Sequence, residues 1–159
     1  MNINSFPSKL LEDAVGQFAK LPGIGRKTAL RLVLHLLRQP SSDIDLFAST
    51  LQRLSNEAMY CTSCNCISDA EVCPICSSRS RNRSLLCVAE SIKDVMSIEG
   101  TGQYNGLYYV LGGLINPMDG VGPSDIQVDG LVNKIEEGNV KEVILALSAT
   151  MEGDTTGYY

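Results

Sequence analysis

The feature that most constrains this chain is a pair of cysteine knuckles. Cys61-Thr62-Ser63-Cys64 is followed, after eight residues, by Cys73-Pro74-Ile75-Cys76. Each CxxC turn offers two thiolates to one metal. Two such turns at close range complete a tetrahedron, the geometry of a closed, structural Zn2+ site. A closed site keeps no position for water, so its zinc folds the chain and performs no chemistry. The competing readings demand more: a disulfide framework needs an oxidising compartment, and a thioredoxin-type CxxC needs a single pair at a strand–helix junction. Cys66 is a rival to Cys64, but only Cys64 keeps the spacing that matches Cys73 and Cys76. Asn65, directly after the first knuckle, tolerates the left-handed backbone that such a turn needs. Cys87 lies in an apolar run and reads as a buried, inert thiol.

A chain of 159 residues holds one ordinary domain or two to three small ones, and 44% hydrophobic content argues for packing rather than disorder. No apolar run is long enough to span a bilayer. The start, Met1-Asn2-Ile3-Asn4-Ser5, has no basic region followed by an apolar core, so no signal peptide is expected. Six cysteines in that context favour the reducing cytoplasm and metal over disulfides. The net charge of −5 is unevenly spread: residues 1–60 carry +2, residues 61–87 carry +1 and residues 88–159 carry −8. A basic front and an acidic back point to different partners for the two halves, and local fields, not the whole-chain balance, decide nucleic-acid binding.

Helical spacing of Leu11, Ala14, Val15 and Phe18 predicts a helix from Ser8 to Leu21, with Pro7 at its entry. Leu21-Pro22-Gly23-Ile24-Gly25 then reads as a turn with Ile24 pointing inward. A second helix is expected from Arg26 to Arg38. On a helical wheel Ala29, Leu30, Leu32, Val33, Leu36 and Leu37 fill one broad arc. Lys27, Arg31 and Arg38 fall within about 40° of one another on the opposite side. Thr28 and His35 flank that stripe, His35 as an exposed rim residue, and Leu34 is an apolar exception beside it. A helix N-terminus opening at Gly23 and Gly25 presents backbone N–H groups and the helix dipole to a phosphate. Lys27 and Arg31 reach neighbouring phosphates from the same face. Nothing in the pattern reads base edges, so binding would be sequence-independent and salt-sensitive. Ser41-Ser42-Asp43 caps a third helix to Met59, with Leu46, Phe47, Thr50, Leu51 and Leu54 as its buried stripe. Three short helices make a thin core, which the zinc module would staple.

Ser77 to Ser84 is a polar linker whose Arg79, Arg81 and Arg83 share one side if extended: a solvated segment or a second phosphate contact. From Leu85 the pattern changes. Leu85 to Ala89 reads as a strand buried on both faces and ended by Glu90. Ser91 with Asp94 forms a capping box. Leu107 to Leu111 is a second strand, ended by Gly112-Gly113. Ser124 caps a helix ending near Gly138, and Glu142 to Leu147 is a third strand. Strand, helix, strand, helix, strand argues for an open parallel α/β sheet, whose functional groups sit at the carboxyl ends of the strands. Glu90, Glu152 and Asp154 sit there. Clustered carboxylates are the ligand type for Mg2+, and Glu152 and Asp154 serve equally as caps of a following helix.

Three features stand in one order: LPGIGRKTALRL, the C-x2-C-x8-C-x2-C module, and an acid-ended α/β segment with LLCVAE, YVLGG and INPMDGVGP. Together they closely resemble the bacterial recombination-mediator family RecR over essentially the whole chain. The resemblance implies a multidomain α and α/β chain. Residues 1–59 would be a helix-hairpin-helix DNA-binding domain, 60–84 a four-cysteine zinc finger and linker, and 85–159 a partial Toprim-type open parallel sheet with flanking helices. It implies a DNA-repair factor without known catalysis. Such proteins assemble as rings or clamps on DNA and, with RecO or RecF, help RecA displace single-strand-binding protein. Carried onto this sequence, Lys27 and Arg31 are DNA contacts, Cys61, Cys64, Cys73 and Cys76 are zinc ligands, and Glu90, Glu152 and Asp154 are the Toprim acidic positions. The last pair reads Glu-x-Asp where catalytic Toprim enzymes have Asp-x-Asp, which weakens a magnesium reading and leaves these acids free to bind basic partners. The family pattern continues beyond the position of Tyr159, so truncation is expected, with a further strand, a helix and part of an assembly surface lying outside the chain.

The resulting expectation is a homo-oligomer, dimer or tetramer, that binds single- and double-stranded DNA without sequence preference. Two rivals stand beside it. One is a magnesium-dependent Toprim enzyme fragment of primase, nuclease or topoisomerase type, for which the chain offers neither a tyrosine in a nucleophile context nor a second catalytic domain. The other is a zinc-stabilised interaction module that never touches DNA, against which the basic stripe argues.

Overall fold

The computed structural model describes residues 8–159; Pro7 and the Met1–Ser5 stretch lie outside the described residues. The chain divides into two compact units, one ending at Asn56 and the other running Glu57–Tyr159. Among the described residues no helix is long and apolar enough to cross a membrane.

The first unit holds α1 (Lys9–Phe18), α2 (Arg26–Leu36) and α3 (Ser41–Glu57). Ser8 caps α1, its hydroxyl accepting from the Leu11 N–H at 3.5 Å. Val15, Ala29 and Val33 are buried where α1 meets α2, with Leu11, Ala14, Phe18, Ile24 and Leu30 packed around them. That core matches the expected stripes, including the inward Ile24. Leu37 departs from it: α2 ends at Leu36, and Leu37 stands 70% exposed in the turn beyond. The larger correction concerns α3. No residue of α3 is buried. Leu46 and Leu54 keep 67% and 61% of their surface, and Phe47, Thr50 and Leu51 are exposed as well. A periodic apolar stripe specifies that a face is apolar, not what covers it. Among the described residues the buried core lies between α1 and α2, and the start of α3 meets it where Ile44 lines a shallow recess with Phe18 and Leu36.

In the second unit a two-residue hairpin, β1 (Met59–Tyr60) with β2 (Ile67–Ser68), carries the first knuckle, and the four-residue helix α4 (Pro74–Ser77) carries the second. Then follow β3 (Asn82–Ala89), α5 (Ile92–Glu99), β4 (Gly106–Val110), α6 (Val128–Glu137), β5 (Glu142–Ala146) and α7 (Met151–Tyr158). The sheet is parallel, in order β4-β3-β5, with Leu86 opposite both Leu107 and Val143. Leu86 to Ala89 are all buried because β3 is central and covered on both sides. Alternation divides the sheet faces. Leu86, Val88, Leu107 and Tyr109 pack with Val128, Leu131 and Ile135 of α6. Cys87, Ala89, Tyr108 and Val110 pack with Val95 of α5 and with the knuckle cysteines. The knuckles therefore share a core with the sheet, where the sequence had suggested a staple for the helical domain. The Ser91–Asp94 capping box is present, the Ser91 N–H donating to Asp94 Oδ2 at 2.9 Å. Ser124 is not a helix cap: Pro123–Asp125 forms a single 3-10 turn, and α6 begins only at Val128.

The arginine linker is also corrected. β3 starts at Asn82, three residues earlier than expected, and the arginines do not share a free side. Arg83 donates to the Cys76 carbonyl at 3.1 Å. Arg81 forms a two-pronged ion pair with Glu99 at the end of α5 and also donates to the Tyr104 and Gly106 carbonyls at 3.3 and 3.4 Å. Tyr108 donates to Glu99 Oε1 at 2.7 Å, so the carboxylate closes a network joining α5 and β4 to the residue just before β3. The Arg81 guanidinium holds the Glu99 carboxyl below its ordinary 4.5, the Tyr108 hydroxyl adds to that, and burial opposes it. A depressed carboxyl stabilises the fold above its unfolded value, and the contribution is lost as pH falls through the folded value. Glu99→Gln should cost about 1–3 kcal/mol at neutral pH, the scale of hydrogen bonds to charged groups. The variant and parent should then converge in urea unfolding as pH drops below about 4. Equal midpoints at pH 7 would show that the network contributes nothing.

Candidate functional site

Three groups of side chains carry chemistry. The first is the hairpin between α1 and α2. After α1 the chain turns through Lys20 and Leu21, and the Ile24 N–H closes the turn on the Leu21 carbonyl at 3.0 Å. Gly23 takes φ +76°, a left-handed conformation that a β-carbon would strain. Gly25 is the N-cap of α2 in extended backbone, with no side chain capping the helix and nothing within 4 Å of where a β-carbon would stand. The first N–H groups of α2 therefore open outward with the positive end of the helix dipole. Lys27, Arg31 and Arg38 are exposed and line one shallow recess of about 550 Å³ with Leu34 and His35. The wheel's stripe is thus one continuous basic surface, with His35 on its rim, where it pairs with the Gln39 amide at 3.4 Å.

The second group is the four cysteines. Cys61 and Cys64 flank the tip of the β1–β2 hairpin, held by the Cys61 N–H donating to the Cys66 carbonyl at 2.8 Å. Asn65 sits at φ +58°, in the expected left-handed region. Cys73 caps α4, and Cys76 lies in its first turn. The four sulfurs lie within 4.8 Å of one another and all four residues are buried. Zinc with Zn–S bonds of about 2.3 Å has sulfur–sulfur edges of about 3.8 Å, so the cluster fits the ion with small side-chain motions. The Cys73 N–H points at Cys61 Sγ at 3.2 Å. Burial works to raise the Cys61 thiol, but the N–H groups of Cys73 and Ser63 outweigh it and bring it down to about 7. Cys76 is pushed up by its hydrogen bond with Cys64 and by burial, with the Ser63 hydroxyl opposing the rise. Cys66 is buried beside the cluster but outside the set of four. Cys87 lies in the sheet core, its thiol raised by burial.

The third group is acidic. A recess of about 580 Å³ opens at the carboxyl ends of the strands and brings together Glu90, Asp125 and Glu152, with Ser148 and Thr150 between them. Ser148 donates to Glu90 Oε2 at 2.7 Å. Glu152 and Asp154 both lie in the first turn of α7, so each also serves the helix dipole. The Glu152 carboxyl is lowered by its own backbone N–H and by the Thr150 hydroxyl. Gly153 lets α7 start this close: a β-carbon there would collide with the Ser148 carbonyl. Asp154 is not brought into the recess; it lines a neighbouring one with Leu145 and Tyr158. Asp125 is the acid that sequence reading missed. Its carboxylate accepts from the Gly122 N–H at 2.8 Å, and the Pro-Ser-Asp turn after Gly122 was the available signal. Among the described residues only the four cysteines bring three or more metal-ligand atoms together.

Comparison with known proteins agrees with this layout. The family model for the RecR helix-hairpin-helix matches residues 11–54, the model for the RecR four-cysteine zinc finger domain matches residues 58–78, and the Toprim domain model matches residues 84–159. A protein named recombination protein RecR from Phocaeicola vulgatus is 60% identical over 97% of this chain and 75% of its own length. The Porphyromonas gingivalis protein of that name is 57% identical over 99% of this chain and 76% of its own length. The one from Flavobacterium johnsoniae is 52% identical over 97% and 75%. With a basic hairpin, a four-thiol module and an acid-ended parallel sheet matched in that order, the chain belongs to the RecR family.

Proposed function

We propose that this chain is a recombinational-repair mediator that binds the DNA phosphate backbone without reading sequence, on single and double strands alike. The observation that carries this reading is the exposed row of Lys27, Arg31 and Arg38 beside the uncapped start of α2 at Gly23 and Gly25. Backbone N–H groups and two cations one turn apart suit successive phosphates on one strand. In this reading residues 1–59 bind DNA, the zinc module at 60–84 is structural, and the Toprim-like part at 85–159 receives protein partners. Cys61, Cys64, Cys73 and Cys76 hold one zinc ion, whose role is to cross-link two knuckles too small to fold by burial alone. The exposed stripe of α3 supports assembly into a dimer or tetramer that encloses DNA as a clamp, since a second copy covers apolar surface that otherwise faces water.

The role is proposed to be non-catalytic and cytoplasmic. Glu90, Glu152 and Asp154 are divided between two recesses, which favours docking of basic partners of RecO or RecF type over holding magnesium; that docking would assist RecA loading on single-stranded DNA.

Each neutralised phosphate releases condensed counterion. The Lys27→Ala/Arg31→Ala variant should therefore lose affinity almost uniformly across sequences and flatten the salt slope on duplex DNA by roughly two units. Gly25→Val should weaken binding too, by blocking backbone approach, while zinc content stays unchanged in all variants. Fluorescence anisotropy at several salt concentrations reads this out, and unaltered affinity and slope in the double variant would remove the hairpin from the interface.

Elemental analysis should find about one zinc per chain, lost in Cys64→Ser and Cys76→Ser and kept in Cys66→Ser. Zinc retained without Cys64 but lost without Cys66 would reverse the ligand register.

Glu152→Lys should weaken binding to a RecO-type partner at least tenfold and leave DNA affinity intact, measured by paired titrations. Magnesium-dependent DNA cleavage that disappears in Glu152→Ala would replace the mediator reading with an enzymatic one.

A further inference from the structure

The α/β fold grips the first knuckle at three consecutive residues. The Val110 N–H of β4 donates to the Cys64 carbonyl at 2.9 Å, and Asn65 Nδ2 donates to the Val110 carbonyl at 2.9 Å. The third grip comes from α6, where Lys134 Nζ donates to the Ser63 carbonyl at 2.6 Å and to Ser63 Oγ at 2.7 Å. Lys134 and Ser63 are 71 residues apart in sequence, and both are partly buried. Ser63 stands between Cys61 and Cys64, the two ligands of its knuckle, and its N–H and hydroxyl lower the Cys61 and Cys76 thiols respectively.

The order of donation matters. An ammonium has protons and no lone pair, so Ser63 Oγ must accept from it. That leaves the single hydroxyl proton of Ser63 to be donated onward, and a cysteine sulfur is a strong acceptor only as thiolate. Four thiolates around one divalent ion carry a net charge of −2 in a buried site. Hydrogen-bond donors and a nearby cation offset the desolvation of that charge.

We infer that Lys134 is a positioning residue of the zinc site: it fixes both oxygens of Ser63, the residue next to Cys64 and between the two ligands of the first knuckle, and it brings a positive charge to the anionic cluster. This rests on the zinc reading above. It makes metal affinity a property of the sheet unit and not of the knuckles alone. A free peptide of residues 58–78 would hold the four ligands but lack the residue that orients them.

The test is a zinc competition titration of the full chain against a chromophoric chelator, followed by absorbance. Loss of an oriented partner outside the ligand set typically weakens metal binding roughly 10–100-fold. Lys134→Met is expected in that range, and Ser63→Ala is expected to weaken binding as well. The double variant should fall short of the product of the two single effects, because they act along one chain of contacts. Lys134→Arg, which can still donate to both Ser63 oxygens, should recover most of the affinity, and Lys141→Met, an exposed lysine of the same unit, should match the parent. Circular dichroism at saturating zinc checks the fold. If Lys134→Met does not fold, Lys134→Gln replaces it in the same cycle, keeping a donor without the charge. Lys134→Met within twofold of the parent, or fully independent effects in the double variant, would overturn the inference. A parent chain that binds no zinc would instead sink the metal reading itself.

Discussion

The second unit depends on four buried thiols lying within 4.8 Å of one another. Two strands of two residues and a helix of four cannot bury enough apolar surface to fold independently. The cluster they surround is not a separate little core either. Its cysteines pack with Cys87, Ala89, Val95, Tyr108 and Val110, which form one face of the parallel sheet. A metal cross-link at this place therefore does two things at once. It closes the knuckles, and it completes the layer that covers that face. Without the cross-link, thiols buried against apolar side chains would leave their weak donors poorly paired, and the sheet would lose part of its cover.

How much of this was legible in the sequence depended on how local each cause was. Knuckle spacing, the Ser91–Asp94 box, the left-handed Asn65 and the inward Ile24 are decided within a few residues, and all appear in the structure. The parallel order around β3 followed from a run of apolar residues that only a two-sided strand can bury. Readings failed where partners lie far apart. Arg81 and Arg83 looked free until Glu99 and the Cys76 carbonyl were in reach. Nothing in the spacing linked Lys134 to Ser63, or carried Asp125 to the mouth shared by Glu90 and Glu152. Asp154 shows the reverse case: a position two residues from Glu152 on a helix turns to another side of α7.

The charge division acquires a structural meaning. Lys27 and Arg31 on α2 and Arg38 just beyond its end sit in the first unit, and the acidic recess lies at the strand ends of the second. Fields of opposite sign attract differently charged groups, each within a Debye length of about 8 Å at physiological salt. Keeping the fields on separate compact units also lets one be altered without collapsing the other.

The α3 stripe follows a different physical logic from the rest of the molecule. Leu46, Phe47, Leu51 and Leu54 have the period of a buried face but lie in water. Burying a large apolar side chain fully stabilises by about 1.5–3 kcal/mol, so these four positions hold a contribution that the single chain leaves unused. Among the described residues, the first unit's buried core is Val15, Ala29 and Val33. Covering that stripe would add to the stability of a unit whose described residues bury little among themselves. Any partner that covered the stripe would link folding to binding by mass action.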